Sequence, residues 1–210
     1  MFVQWCIKGV RGRLPGESDG AGIDDAEADA MVFGGGGIIC NWWRNAGTIS
    51  PPAMRARLTA ANLDRHVHDY ETFGPQTPFI SLTAGCVERD IALRLNRVHE
   101  AQDVALRFGT DWGERHGYLF YCWVVVGLKP AVSVEGVAEE IRELNSYLSW
   151  SDYQLEGEVT AKINVPANQI HAWERWDADG DGSVNKTSTW RKLNPRFDSP
   201  ALVSNIREFL

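Results

Sequence analysis

Glu156-Gly157-Glu158 places two carboxylates two residues apart. The alternating run that follows reads as a strand over 156–165, stopped by Pro166, and side chains two apart on a strand share a face. Neighbouring carboxylates repel, so at least one should keep its proton above the usual carboxylate range. Such a pair suits a reaction with an oxocarbenium-like transition state. One carboxylate stabilises developing positive charge, and the other assists the incoming nucleophile. The spacing fits an exposed acidic strand start as well, so the pair alone does not choose between the two.

Other patterns carry ligand-type side chains. Asp177-Ala178-Asp179-Gly180-Asp181, continuing to Asn185, has the alternate carboxylates and glycine of the first half of a calcium loop. Position twelve is Ser188, where a bidentate carboxylate is required, so a plain Asp- and Gly-rich turn is the favoured reading and calcium the lesser one. His66 and His68 have only Asp69 and Glu71 as further ligand candidates, and no metal site is expected. Cys6, Cys40, Cys86 and Cys122 show no CxxC spacing and lie beside apolar residues, which reads as buried free thiols.

The elements that must position these residues follow from pattern. Phe2–Val10 reads as a strand, and the Gly- and acid-rich stretch after it as a loop and a short helix. Ser50-Pro51-Pro52 opens a helix through about His66. Pro78–Thr83 is a short strand ending at Gly85. Apolar residues at Ile91, Leu95 and Val98 predict an amphipathic helix over 87–108. Gly117–Leu128 is a buried central strand by its continuous apolar content. A second helix is expected over 137–148, a strand over 170–173 and a final short helix over 204–210. Strands and helices intermix, so the class is α+β. The expected division is a main domain over 1–176 and a polar extension over 177–210.

Composition narrows the partners. The formal charge of -7 offers no general attraction to nucleic-acid phosphates, although a local patch could still handle a few nucleotides. The N-terminus lacks a basic start followed by a long apolar stretch, and no apolar run could span a bilayer, so a cytoplasmic protein without membrane contact is expected.

Phe79-Ile80-Ser81-Leu82-Thr83 and, further on, Glu156-Gly157-Glu158-Val159 occur in the order and form of two elements of the ADP-ribosyltransferase superfamily. The chain resembles its Arg–Ser–Glu branch over about residues 1–175, and Arg65-His66-Val67 matches a further element. The resemblance implies a split two-sheet β-sandwich with flanking helices and NAD as co-substrate in the cleft between the sheets.

It also implies roles. Glu158 would bind the nicotinamide ribose and stabilise the ribosyl cation. Glu156 would orient or deprotonate the acceptor, and Ser81 would hold Glu158. Phe79, Thr83 and His66 would line the NAD site. Where the family has Arg in its first strand, this chain has Ile7-Lys8-Gly9, so Arg11 is the first choice for the NAD phosphates, with Lys8 and Arg13 open. Trp150 and Tyr153 would meet the acceptor. Glu156 favours a protein arginine as that acceptor, with nucleic acid open. Family habit implies a bacterial or phage-related toxin or defence effector, paired with a neutralising antitoxin or immunity protein. The alternatives are NAD hydrolysis at the same site and a non-catalytic binding module.

Overall fold

A computed structural model describes residues 2–90, 95–127, 138–140, 156–179, 183–186, 191–200 and 206–207. In chain order its elements begin with β1 (Phe2–Arg11), α1 (Asp25–Val32), β2 (Ile38–Ile39), α2 (Asn41–Ala46), α3 (Pro51–Arg57), α4 (Ala60–His68) and α5 (Tyr70–Phe73). There follow β3 (Phe79–Thr83), β4 (Cys86–Asp90), β5 (Leu95–His99), α6 (Ala101–Gly109), β6 (Gly117–Gly127) and β7 (Ala138–Glu140). The rest are β8 (Glu158–Lys162), β9 (Asn164–Val165), β10 (Ile170–Ala178), β11 (Val184–Lys186), β12 (Lys192–Leu193) and β13 (Ile206–Arg207). The class is α+β, as the intermixed pattern predicts, with mostly antiparallel pairing.

The sheet is split. In one half β1 pairs along its whole length with β6, from Phe2↔Val126 to Arg11↔Gly117, and β10 and β11 continue outward from β6. In the other half β3 pairs with β8, and β8 with β7. The halves join at Ile7↔Thr83 between β1 and β3, and at Val126↔Ala138 between β6 and β7. Beyond Ile7, β1 and β3 no longer pair, and the candidate site opens there.

Apolar residues of the strands alternate into opposite faces, as half-buried strands require, and two of the three cores among the described residues show it. Ile80 and Leu82 of β3 and Val159 and Ala161 of β8 point one way, into a cluster shared with Phe120 and Cys122 of β6. Ile7, Leu119 and Tyr121 face the other way and receive α6 through Ala101, Ala105 and Leu106. The helix sits against bare backbone. A Cβ on Gly9 would lie 2.1 Å from the Ala105 carbonyl oxygen, and one on Gly117 would lie 2.1 Å from that of Gly109.

Several expectations are corrected. The helix predicted over 87–108 is instead an antiparallel pair, β4 with β5 in register Cys86↔His99 to Asp90↔Leu95, followed by the shorter α6; residues 91–94 lie outside the described residues. The apolar spacing there fits a helix or a strand pair, and cross-strand pairing decides; Val98, assigned to the buried face, is exposed. At 138–140 there is a strand, β7, because the sheet needs a member between β6 and β8; residues 141–148 lie outside the described set. Ile206–Arg207, expected as helix, pairs in parallel with β1 at Val3 and Gln4, and the remainder of 204–210 lies outside the described residues. The helix expected through His66 is two, capped by Ser50 and Thr59, whose hydroxyls accept the N–H groups of Ala53 and Asn62. The strand expected over 170–173 runs on to Ala178, and β11 and β12 both pair with it.

The acidic stretch from Glu17 to Asp29 leads into α1, the short helix expected there, and its carboxylates are engaged. Asp24 and Glu27 form a capping box on α1. Glu17 binds Arg115, Asp25 accepts from the Tyr118 hydroxyl, and Asp29 accepts from Trp173 and Lys192.

Candidate active site

A cleft of about 460 Å³ opens where β1 and β3 part. Its walls are Lys8 to Arg11 of β1, Ile80 to Thr83 of β3, Glu156 and Glu158, His66 and Tyr70, the Gly20–Gly22 turn, Arg44 of α2, and Phe108 of α6. The structure therefore brings together Glu158, Glu156, Ser81, Phe79, Thr83, His66, Lys8 and Arg11, which the sequence singles out.

Glu158 is 5% exposed and begins β8, opposite Thr83. Thr160, two residues on and on the same face, donates to Glu158 Oε1 at 2.9 Å. His66, brought up by α4 and 2% exposed, has Nε2 at 2.9 Å from Ser81 Oγ and 3.5 Å from Glu158 Oε1. Burial pushes the Glu158 carboxyl up, but His66, Thr160 and Ser81 outweigh it and hold the group below the usual carboxylate range. It is thus a buried carboxylate kept ionised.

Glu156 is not on the strand. It sits on the turn before β8, and Gly157 has φ +58, where a Cβ would lie 2.4 Å from the Gly85 carbonyl carbon. Only glycine fits there, and so the two glutamates reach one cleft by a turn rather than by strand alternation. The Thr83 hydroxyl donates to the Glu156 carbonyl at 2.6 Å and accepts the N–H of Gly85, pinning the turn. Burial, and then the charge of Glu158, push the Glu156 carboxyl up to about 7.

Across the cleft lie cations. Lys8 is pulled down to about 8, chiefly by burial, against the opposing pull of Glu158. Arg11 lines the cleft while pairing with Asp111 at 3.0 Å, and its side chain is 54% exposed. Arg13 turns away to Glu27, Asp24 and Asp19. Arg44 is a third cation of the cleft that sequence reasoning missed, since NWWRNAG carries no spacing signal. Thr160 was missed too, although its place two residues after Glu158 would have found it. Trp150 and Tyr153 lie outside the described residues.

Among the described residues no three His, Cys, Asp or Glu side chains gather as a metal site, and no helix is long and apolar enough to cross a membrane. Cys6, Cys40 and Cys122 are buried free thiols. Of the Asp177–Asn185 run, Asp177 pairs with Asn185 between β10 and β11 and Asp179 accepts from Ser183 and Asn185; residues 180–182 lie outside the described residues.

No family model matches the chain, and no curated protein matches it. Solved structures are similar. EcPltA is 11% identical, with a TM-score of 0.48, 98% of this chain covered and 93% of that one. A heat-labile enterotoxin double mutant is 13% identical, with a TM-score of 0.45 and coverage of 96% and 67%. Full-length CARDS toxin is 13% identical, with a TM-score of 0.46; it covers all of this chain, which spans 32% of it. Such distant likeness adds nothing to the chemistry, which stands on the cleft.

Proposed function

We propose that the chain cleaves NAD at the nicotinamide glycosidic bond and transfers ADP-ribose to a macromolecular acceptor. The observation that carries this reading is the pairing of an ionised, buried Glu158 with a set of cations across one cleft. NAD fits those residues. Its diphosphate suits Lys8, Arg11 and Arg44, its nicotinamide suits an aromatic lining such as Phe79, and a cleft of about 460 Å³ lies within the usual range for small-molecule sites.

In this mechanism the C–N bond breaks and its electron pair leaves with nicotinamide. Positive charge develops on the ribose, and Glu158, already aligned by Ser81, His66 and Thr160, stabilises it without reorganising. Glu156, with its pKa near 7, takes the proton of the attacking group as the new bond forms. By the resemblance that group is a protein arginine, with nucleic acid the other candidate and water the hydrolytic case. Labelled NAD offered to separate protein, RNA and DNA pools decides the acceptor; label found only in nucleic acid sinks the arginine assignment.

Glu158→Gln keeps shape and volume and removes the charge. It is expected to lower NAD cleavage by about 10²–10³-fold or more with the protein still folded. Release of nicotinamide at the parent rate would refute the reading.

A further inference from the structure

His66 is gripped from both sides. On the cleft side its Nε2 faces Ser81 and Glu158; on the other, its Nδ1 lies 2.8 Å from the hydroxyl of Thr77, which is 1% exposed. Thr77 follows the short 3-10 turn Gly74–Gln76 and precedes β3. Its Oγ1 already accepts the N–H of Phe79 at 3.2 Å.

The protons can be assigned by exhaustion. A threonine hydroxyl has one proton to give, and a buried hydroxyl proton without an acceptor is costly. If Nδ1 of His66 carried a proton, Thr77 Oγ1 would accept from both His66 and Phe79, and its own proton would be left without an acceptor among the described residues. If Nδ1 is bare, the Thr77 hydroxyl donates to it and both groups are satisfied. The imidazole proton then sits on Nε2, where Ser81 Oγ and the Glu158 carboxylate are the acceptors. The Ser81 hydroxyl, accepting from His66, is left to donate to Glu158.

We propose that Thr77 is a positioning residue that fixes His66 in its Nε2–H tautomer, so that the chain Thr77–His66–Ser81 directs every one of its protons toward Glu158. Thr77 is not among the residues that line the cleft. It acts through the imidazole, two hydrogen bonds behind Ser81. The consequence for the reaction rests on the NAD-cleaving reading; the tautomer itself does not.

The test uses the full chain with ¹⁵N-labelled histidine. Imidazole nitrogen shifts distinguish the two neutral tautomers, and a His66→Gln variant assigns the signal among the five histidines. The parent protein is expected to show Nε2 protonated and Nδ1 bare. A protonated Nδ1 in the neutral imidazole overturns the proposal whether or not NAD is cleaved. Thr77→Val is expected to mix the tautomers and lower kcat for NAD cleavage about tenfold, with KM changed by less than about twofold. Thr77→Ser, which returns the hydroxyl, is expected to restore the Nε2–H signal and most of kcat. A Thr77→Val protein with unchanged tautomer and kcat overturns the proposal, and so does a Thr77→Ser protein as impaired as the valine variant. If Thr77→Val does not fold, the parent spectrum and the serine variant still decide. A parent protein that shows the expected tautomer but cleaves no NAD refutes the functional reading and leaves the tautomer assignment standing.

Discussion

At the scale of the residue, the two glutamates are separated by environment rather than by type. Glu158 is as buried as a core residue yet stays ionised, because three side chains stabilise its charge; Glu156 has burial and a like charge against it and none of those partners. This gives two pH signatures. Glu156 must lose its proton to act as a base, so transfer is expected to rise with pH and level off above about 7, and Glu156→Gln should flatten that limb. The stability signature has the opposite sign. Between the ordinary 4.5 and about 7 the folded protein binds the Glu156 proton more tightly than the unfolded chain, so this group makes stability fall as pH rises through that window. Glu156→Gln should therefore melt higher than the parent at pH 8 and no higher at pH 4. A second titration belongs to Lys8. KM for NAD is expected to climb above about pH 8 as its charge is lost, and Lys8→Arg should move that rise to higher pH.

At the scale of the element, what could be read in the sequence is what is local. Ser81, Glu158 and Val159 lie in short motifs whose own strands place them, and strand alternation alone puts Thr160 beside Glu158. His66 lies on a helix, and only the resemblance ties it to the NAD site. Arg44 carried no signal, because α2 is set at the cleft by packing and not by anything within its six residues. The β4–β5 pair was misread because its apolar residues satisfy helical spacing, and β7 because three residues hold no period at all. Gly9 and Gly117 carry no packing signal in the sequence, yet they are where α6 rests on the sheet. Gly9→Ala would drive a methyl into the Ala105 carbonyl, and a loss of about 3 kcal/mol is expected by urea unfolding. Gly157→Ala should combine a left-handed φ with a backbone clash, and lower both stability and NAD cleavage by displacing Glu156.

At the scale of the molecule, the chain is stitched together from its late residues. β11 and β12 extend β10, β13 lies beside β1, and Arg191 pairs at 2.7 Å with Glu174, which is 2% exposed. Lys192 ties the same region to Asp29 of α1. A chain ended at Ala178 would lose those strands and strip the cation from a buried carboxylate, at a cost of several kcal/mol. It is expected to show no cooperative thermal transition; a sharp melt near that of the full chain would mean that residues 179–210 are dispensable for folding.

On the NAD-cleaving reading, the Arg11–Asp111 bridge has a consequence for turnover. A guanidinium that already holds a counter-ion meets an arriving phosphate as an exchange, with Asp111 the resident competitor. Asp111 is itself kept in place by Arg115 at 3.5 Å, so it stays near to reclaim Arg11. On that reading such a clamp would grip lightly and release product readily. Asp111→Asn should tighten NAD binding and slow the departure of the spent nucleotide, a trade visible as a lower KM together with a product-release step that limits the rate.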